Sequence, residues 1–107
     1  MMKRLEERAG SEYLVADGGM GTELQRRGLA PGECPELWCV ERPDQVRAVY
    51  AAYREAGSQI VETNTFGSSR YKLSHYGLAD RAVEINRAGV ALAREVAGDS
   101  QYVMASM

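Results

Sequence analysis

A chain of 107 residues holds one domain at most, and 45% apolar with 26% charged residues is ordinary globular composition, which excludes a disordered or low-complexity polymer. Thirteen Lys and Arg against fifteen Asp and Glu leave a net charge of −2 with no basic stripe, which argues against nucleic acid as a partner. No apolar run approaches the roughly 20 residues of a membrane span, and the charged start Met1-Met2-Lys3-Arg4 lacks a signal peptide's apolar stretch, so a cytoplasmic location is expected.

In chain order, Met2 to Ala9 carries helix formers and stops at Gly10-Ser11. Tyr13 to Ala16 is a short apolar run ending in Asp17-Gly18-Gly19, the pattern of a buried strand entering a glycine-rich loop. Thr22 to Arg27 reads as a brief helix stopped by Gly28, and Ala30 to Pro35 as an irregular loop. Pro43 suits a first helical position, Asp44 complements the dipole, and Gly57 closes the helix. Within it Val46, Val49, Tyr50, Tyr53 and Ala56 form one apolar stripe, which places both tyrosines in the core. Ile60 to Phe66 is β-branched and aromatic between glycines, so a strand is predicted. Ser69 to Tyr76 is a short helix stopped by Gly77. Asp80 to Ala97 is a long one with Val83, Val90, Ala93 and Ala97 on its buried side, and Tyr102 to Ala105 starts a further strand.

Strands alternating with helices predict an α/β fold with a parallel sheet and right-handed crossovers. A complete (β/α)₈ barrel takes about 250 residues, so residues 1–107 read as one domain piece, the N-terminal three β/α units of a truncated TIM barrel. Such a piece leaves sheet edges uncovered, which favours self-association.

Barrel chemistry gathers at the carboxyl ends of the strands. At the first, Asp17 either holds a cationic group beside the permissive backbone of Gly18 and Gly19 or caps the following short helix. The spacing fits neither phosphate-binding glycine pattern. At the second, alternation puts Glu62, Asn64 and Phe66 on one face and Val61, Thr63 and Thr65 on the other. A carboxylate and an amide on one face point into a polar barrel mouth, the alternative being that they satisfy loop backbone groups. Cys34 and Cys39 are too few for a disulfide framework, leaving local metal binding or free loop thiols. His75, the only histidine, reads as a surface residue, and Trp38 as packing over the barrel mouth.

Several spaced motifs resemble, in order, the start of the homocysteine S-methyltransferase domain of cobalamin-dependent methionine synthase and betaine–homocysteine methyltransferase. They are Asp17-Gly18-Gly19-Met20-Gly21-Thr22-Glu23-Leu24-Gln25, Pro43 to Tyr53, Ala56-Gly57, Glu62-Thr63-Asn64-Thr65-Phe66, Tyr76-Gly77-Leu78, Ile85-Asn86 and Ala91 to Arg94. The resemblance implies a (β/α)₈ barrel that transfers a methyl group to the thiol of homocysteine, giving methionine. It implies zinc held by three cysteines of later strands, which neither Cys34 nor Cys39 matches, so neither a zinc ligand nor a catalytic residue is assigned here. Asp17 matches the aspartate that holds the homocysteine amino group, with Gly18 and Gly19 as the adjoining wall, and Glu62, Asn64 and Phe66 line the same pocket. The methyl donor would be methyl-cobalamin, betaine, S-methylmethionine or methyltetrahydrofolate, with cobalamin or folate reaching the site through other modules. The remaining barrel is the implied protein partner, and the fragment alone is expected to be inactive. Two other readings stand beside this one: a barrel enzyme of isomerase or aldolase type, and a non-catalytic fragment that binds a partner through its open edges.

Overall fold

The computed structural model describes residue 14 and residues 16–105. The helix predicted over Met2 to Ala9 lies outside the described residues, as do Tyr13 and Val15 of the first predicted strand. Strand β1 (Ile60–Glu62) pairs in parallel with β2 (Tyr102–Met104), in the register Ile60 to Tyr102, Val61 to Val103 and Glu62 to Met104. On the other side of β1, Ala16 forms a parallel bridge with Ile60, and the Asp17 N–H donates to the Ile60 carbonyl at 3.0 Å. Among the described residues there are thus two strands and one bridge, with Ile60 between them.

Among the described residues, five α-helices accompany this ribbon: α1 (Gly21–Arg26), α2 (Trp38–Glu41), α3 (Pro43–Glu55), α4 (Arg70–Ser74) and α5 (Ala82–Ala97). Pro43 opens α3 at its first position, and Gly57 follows it with φ of +106°, a conformation that costs a residue without Cβ little. Ser69 caps α4, its side chain accepting from the Lys72 N–H. The core joins Leu24 of α1, Trp38 of α2, Val46 and Val49 of α3, Val61 of β1 and Ala93 of α5. Helices α3 and α5 lie side by side, tied by the Arg54 guanidinium on the Val96 carbonyl at 2.9 Å and by an Arg47–Glu95 ion pair. None of the described helices is long and apolar enough to cross a membrane.

Four predicted placements are corrected. The strand over Ile60 to Phe66 stops at Glu62, because Thr65 N–H turns back to the Thr63 carbonyl at 2.8 Å and Ser68 N–H to the Thr65 carbonyl at 3.1 Å. The Thr63 and Thr65 hydroxyls bond each other and the Ser68 hydroxyl bonds the Thr65 carbonyl, local bonds that compete with the ladder. Alternation ends there too: Asn64 is buried at 5% exposure, while Glu62 and Phe66 remain exposed. On α5, Val83 is 54% exposed and Val90 half-buried, because the stripe runs through Ala82, Ile85, Gly89, Ala93 and Val96. Val83 stands two residues before Ile85, about 200° round the helix. Ala56 is exposed, beyond the last turn of α3. Finally, Trp38 belongs to the core rather than a barrel mouth, with the Arg42 guanidinium 5.3 Å from its ring centroid.

Gly89 shows how tightly α5 packs against the turn after β1. A Cβ there would lie 2.7 Å from Thr65 Cγ2 and 3.4 Å from Cys39 Sγ. Thr65 cannot swing away freely, since its hydroxyl bonds that of Thr63 at 2.6 Å. Alanine gains about 1 kcal/mol of helix propensity, but overpacking costs about 1–3 kcal/mol, so Gly89→Ala should lower stability by about 1 kcal/mol. Thermal unfolding checks this, and a melting point at or above wild type would show that the Thr65 side chain yields.

Candidate functional site

The carboxyl ends of β1 and the Ala16 bridge open into a cavity of about 400 Å³. Asp17, Gly18, Gly19, Glu62, Asn64 and Phe66 all line it, so the two strand-end motifs separated by some forty residues meet in one place.

Asp17 follows the bridge directly, and its N–H bond to the Ile60 carbonyl fixes its backbone beside β1. Its Oδ2 accepts the Glu62 N–H at 3.2 Å, while Oδ1 is buried and has no hydrogen-bond partner among the described residues. Burial is the main cause that raises its pKa to about 6; the Glu62 N–H lowers it, and repulsion from the Glu62 charge raises it further. The capping alternative falls away: Met20 is the N-cap of α1, and no side chain caps that helix.

Gly18 and Gly19 form the adjoining wall, held from behind by Tyr53 of α3, whose hydroxyl donates to the Gly19 carbonyl at 2.7 Å. Tyr53 is thus half-buried at the edge of the core, packed against it and reaching the back of the loop. Asn64 lines the cavity, yet its side-chain amide donates to the Pro35 carbonyl at 2.9 Å and contacts Cys39 Sγ at 3.4 Å. It joins the turn after β1 to the segment before α2. Glu62 and Phe66 stand on the rim, and Lys72 Nζ lies 4.1 Å from the 63%-exposed Phe66 ring, a cation–π contact.

Two contributors were not singled out from sequence. Glu36, in the 3₁₀ turn Pro35–Leu37, is buried at 8% exposure and lines the cavity. Its Oε2 accepts the Gly67 N–H at 3.2 Å and its Oε1 the Cys34 thiol at 3.5 Å. Tyr50 is core, as predicted, but its hydroxyl accepts the Asn64 N–H at 2.6 Å and donates to the Gly89 carbonyl at 3.4 Å. The signal for the second was a tyrosine in place of phenylalanine on a buried stripe, since a buried phenol needs partners. Burial raises its pKa, so it stays a neutral donor.

Three carboxylates, Asp17, Glu36 and Glu62, thus line a cavity whose lining among the described residues contains no Lys or Arg. This arrangement favours a ligand with a cationic group. A metal does not fit the residues present: no three His, Cys, Asp or Glu side chains converge among the described residues. Cys34 and Cys39 are both unpaired and buried, and Cys39 sits on α2 rather than in a loop. Burial raises both thiols, Cys39 to about 12, which disfavours the thiolate a metal would need. His75 is exposed at the end of α4 against the edge of Tyr71, 5.5 Å away.

The described residues thus form a small parallel α/β unit with a glycine wall and an acidic pocket at its strand ends. The chain belongs to the homocysteine S-methyltransferase family, whose model matches residues 14–107. It is 38% identical over 106 residues to methionine synthase of Mycobacterium tuberculosis, covering 88% of this chain and 9% of that protein. It is 34% identical over 104 residues to betaine–homocysteine S-methyltransferase 1 of Danio rerio, covering 94% of this chain and 26% of that one. The crystal structure of the homocysteine methyltransferase MmuM from Escherichia coli, metallated form, superposes with a TM-score of 0.74 over 91% of this chain and 38% of that chain, at 23% identity. The chain therefore spans a minor part of the length of each relative.

Proposed function

We propose that this chain supplies the homocysteine-holding start of a (β/α)₈ barrel methyltransferase, with Asp17 pairing with the substrate ammonium. The observation that carries this reading is the buried Asp17 Oδ1, which lacks a partner among the described residues in a cavity bounded by both strand-end motifs. A buried carboxylate oxygen left unpaired costs free energy that an incoming ammonium recovers. Gly18 and Gly19 form the backbone wall beside the ligand, while Asn64, braced by Pro35 and Tyr50, keeps its own part of the lining in place. In the complete protein the homocysteine sulfur, as thiolate, forms a bond to the methyl carbon while the bond from that carbon to the donor breaks, giving methionine. The unpaired thiols Cys34 and Cys39 suit the reducing cytoplasm, which we take as the location.

The test is calorimetric titration of the complete gene product with homocysteine and with 4-mercaptobutyrate, which keeps the thiol and carboxylate but lacks the amine. Loss of a charge-assisted contact should weaken binding by about 10- to 150-fold. Equal affinities would remove the ammonium from the Asp17 site.

A further inference from the structure

Tyr53 lies outside the cavity, on the far side of the glycine wall, in a small groove with Glu23, Val49, Ala52 and Ala56. Two separate observations tie it to that wall. Its hydroxyl donates to the Gly19 carbonyl at 2.7 Å. A Cβ on Gly18 would lie 2.9 Å from the Tyr53 hydroxyl oxygen and 3.0 Å from its Cε1, so the ring fills the space that a side chain at position 18 would occupy. The loop is thus pressed on the phenol through one glycine and hydrogen-bonded to it through the next. Asp17 immediately precedes both.

We propose that Tyr53 is a positioning residue for substrate binding: it holds the Gly18–Gly19 wall, and through it the Asp17 carboxylate, at the place where the ligand's ammonium docks. Its effect on binding rests on the function proposed above, whereas its grip on the loop does not. Helix α3 is well suited to this task. It is anchored in the core by Val46, Val49 and Tyr50, so Tyr53 extends a rigid element toward the glycine loop. A loop carbonyl without its donor samples more conformations, and a binding group displaced by a fraction of an ångström binds less tightly.

The experiment compares wild type, Tyr53→Phe, Gly18→Ala and Asp17→Asn in the complete gene product, with hydrogen–deuterium exchange, homocysteine affinity and melting temperature as readouts. Tyr53→Phe keeps the ring and loses one hydrogen bond, so exchange in the segment 17–21 should rise and homocysteine affinity fall, each by about 2- to 12-fold. The melting temperature and exchange in α3 should stay near wild type, which a purely structural loss would not leave unmoved. Gly18→Ala, which drives the loop off the ring, should reproduce the same exchange pattern. Unchanged exchange over 17–21 in Tyr53→Phe overturns the positioning role, whatever homocysteine does. Faster exchange with unchanged homocysteine affinity overturns its role in binding, provided Asp17→Asn weakens binding. If Asp17→Asn binds homocysteine like wild type, the proposed function fails instead, and the exchange data still decide whether Tyr53 holds the loop.

Discussion

Asp17→Asn is expected to weaken homocysteine binding by about 10- to 150-fold and, near pH 7, to raise the melting temperature. The first effect follows from charge: asparagine keeps the size and can still accept the Glu62 N–H, but it offers no anion to an ammonium. A charge-assisted hydrogen bond contributes about 1.5–3 kcal/mol, which sets the range. The second follows from linkage. The Asp17 carboxyl titrates at about 6 in the folded chain, above its ordinary 3.8, because burial disfavours the charged form. Between those values the unfolded chain has released the proton that the folded chain keeps, so stability falls as pH rises through the window and stays reduced above it. Asparagine escapes that penalty. Because Asp17 is only half-buried, solvent screening limits the gain to about 1 kcal/mol or less, and it should vanish below about pH 4. Thermal unfolding of both proteins at pH 4 and pH 7 checks the sign; a variant destabilised at pH 7 would show that the carboxylate serves the fold.

Tyr50→Phe should destabilise the protein by about 1–3 kcal/mol although it removes a single oxygen. Tyr50 is fully buried, and its hydroxyl takes the N–H of the equally buried Asn64 at 2.6 Å. Phenylalanine leaves that N–H with neither protein acceptor nor water, and the cost of an orphaned buried donor exceeds the worth of an ordinary hydrogen bond. The same change loosens Asn64 from one of its supports, so the wall of the cavity moves with the core. Urea denaturation measures the loss. A midpoint equal to that of wild type would show that Asn64 finds another acceptor.

How much of this was legible depends on how each element is encoded. Helix α3 could be read from start to stop, since Pro43, the buried stripe and Gly57 each carry a local physical signal. The meeting of Asp17 with Glu62, Asn64 and Phe66 was anticipated as well, because strand ends in a parallel sheet lie side by side. The turn at Thr63 was not, since period-2 alternation continues on paper through residues whose hydroxyls and amide leave the ladder in three dimensions. Helix α2 has four residues, too few for any periodicity to emerge. Glu36 reaches the cavity only because a 3₁₀ turn buries it against Gly67, thirty-one positions away, and no local pattern contains that pairing. The face of α5 was misjudged for a related reason. Valine at position 83 looks apolar enough for the core, yet Gly89, invisible to a hydrophobicity count, is where the helix makes its closest approach.

The most direct test of the Asp17–ammonium contact is the pH dependence of homocysteine affinity in wild type and Asp17→Asn between pH 5 and pH 7.5. Across that window the ligand's ammonium and carboxylate keep their charges, while Asp17 passes through its titration near 6. A cation binds the ionised carboxylate, so the ratio of wild-type to variant affinity should fall as pH drops through about 6 and level off above it, since any proton released by the ligand thiol is common to both proteins. Two parallel profiles, whether flat or sloping, would contradict the contact and place the ammonium elsewhere.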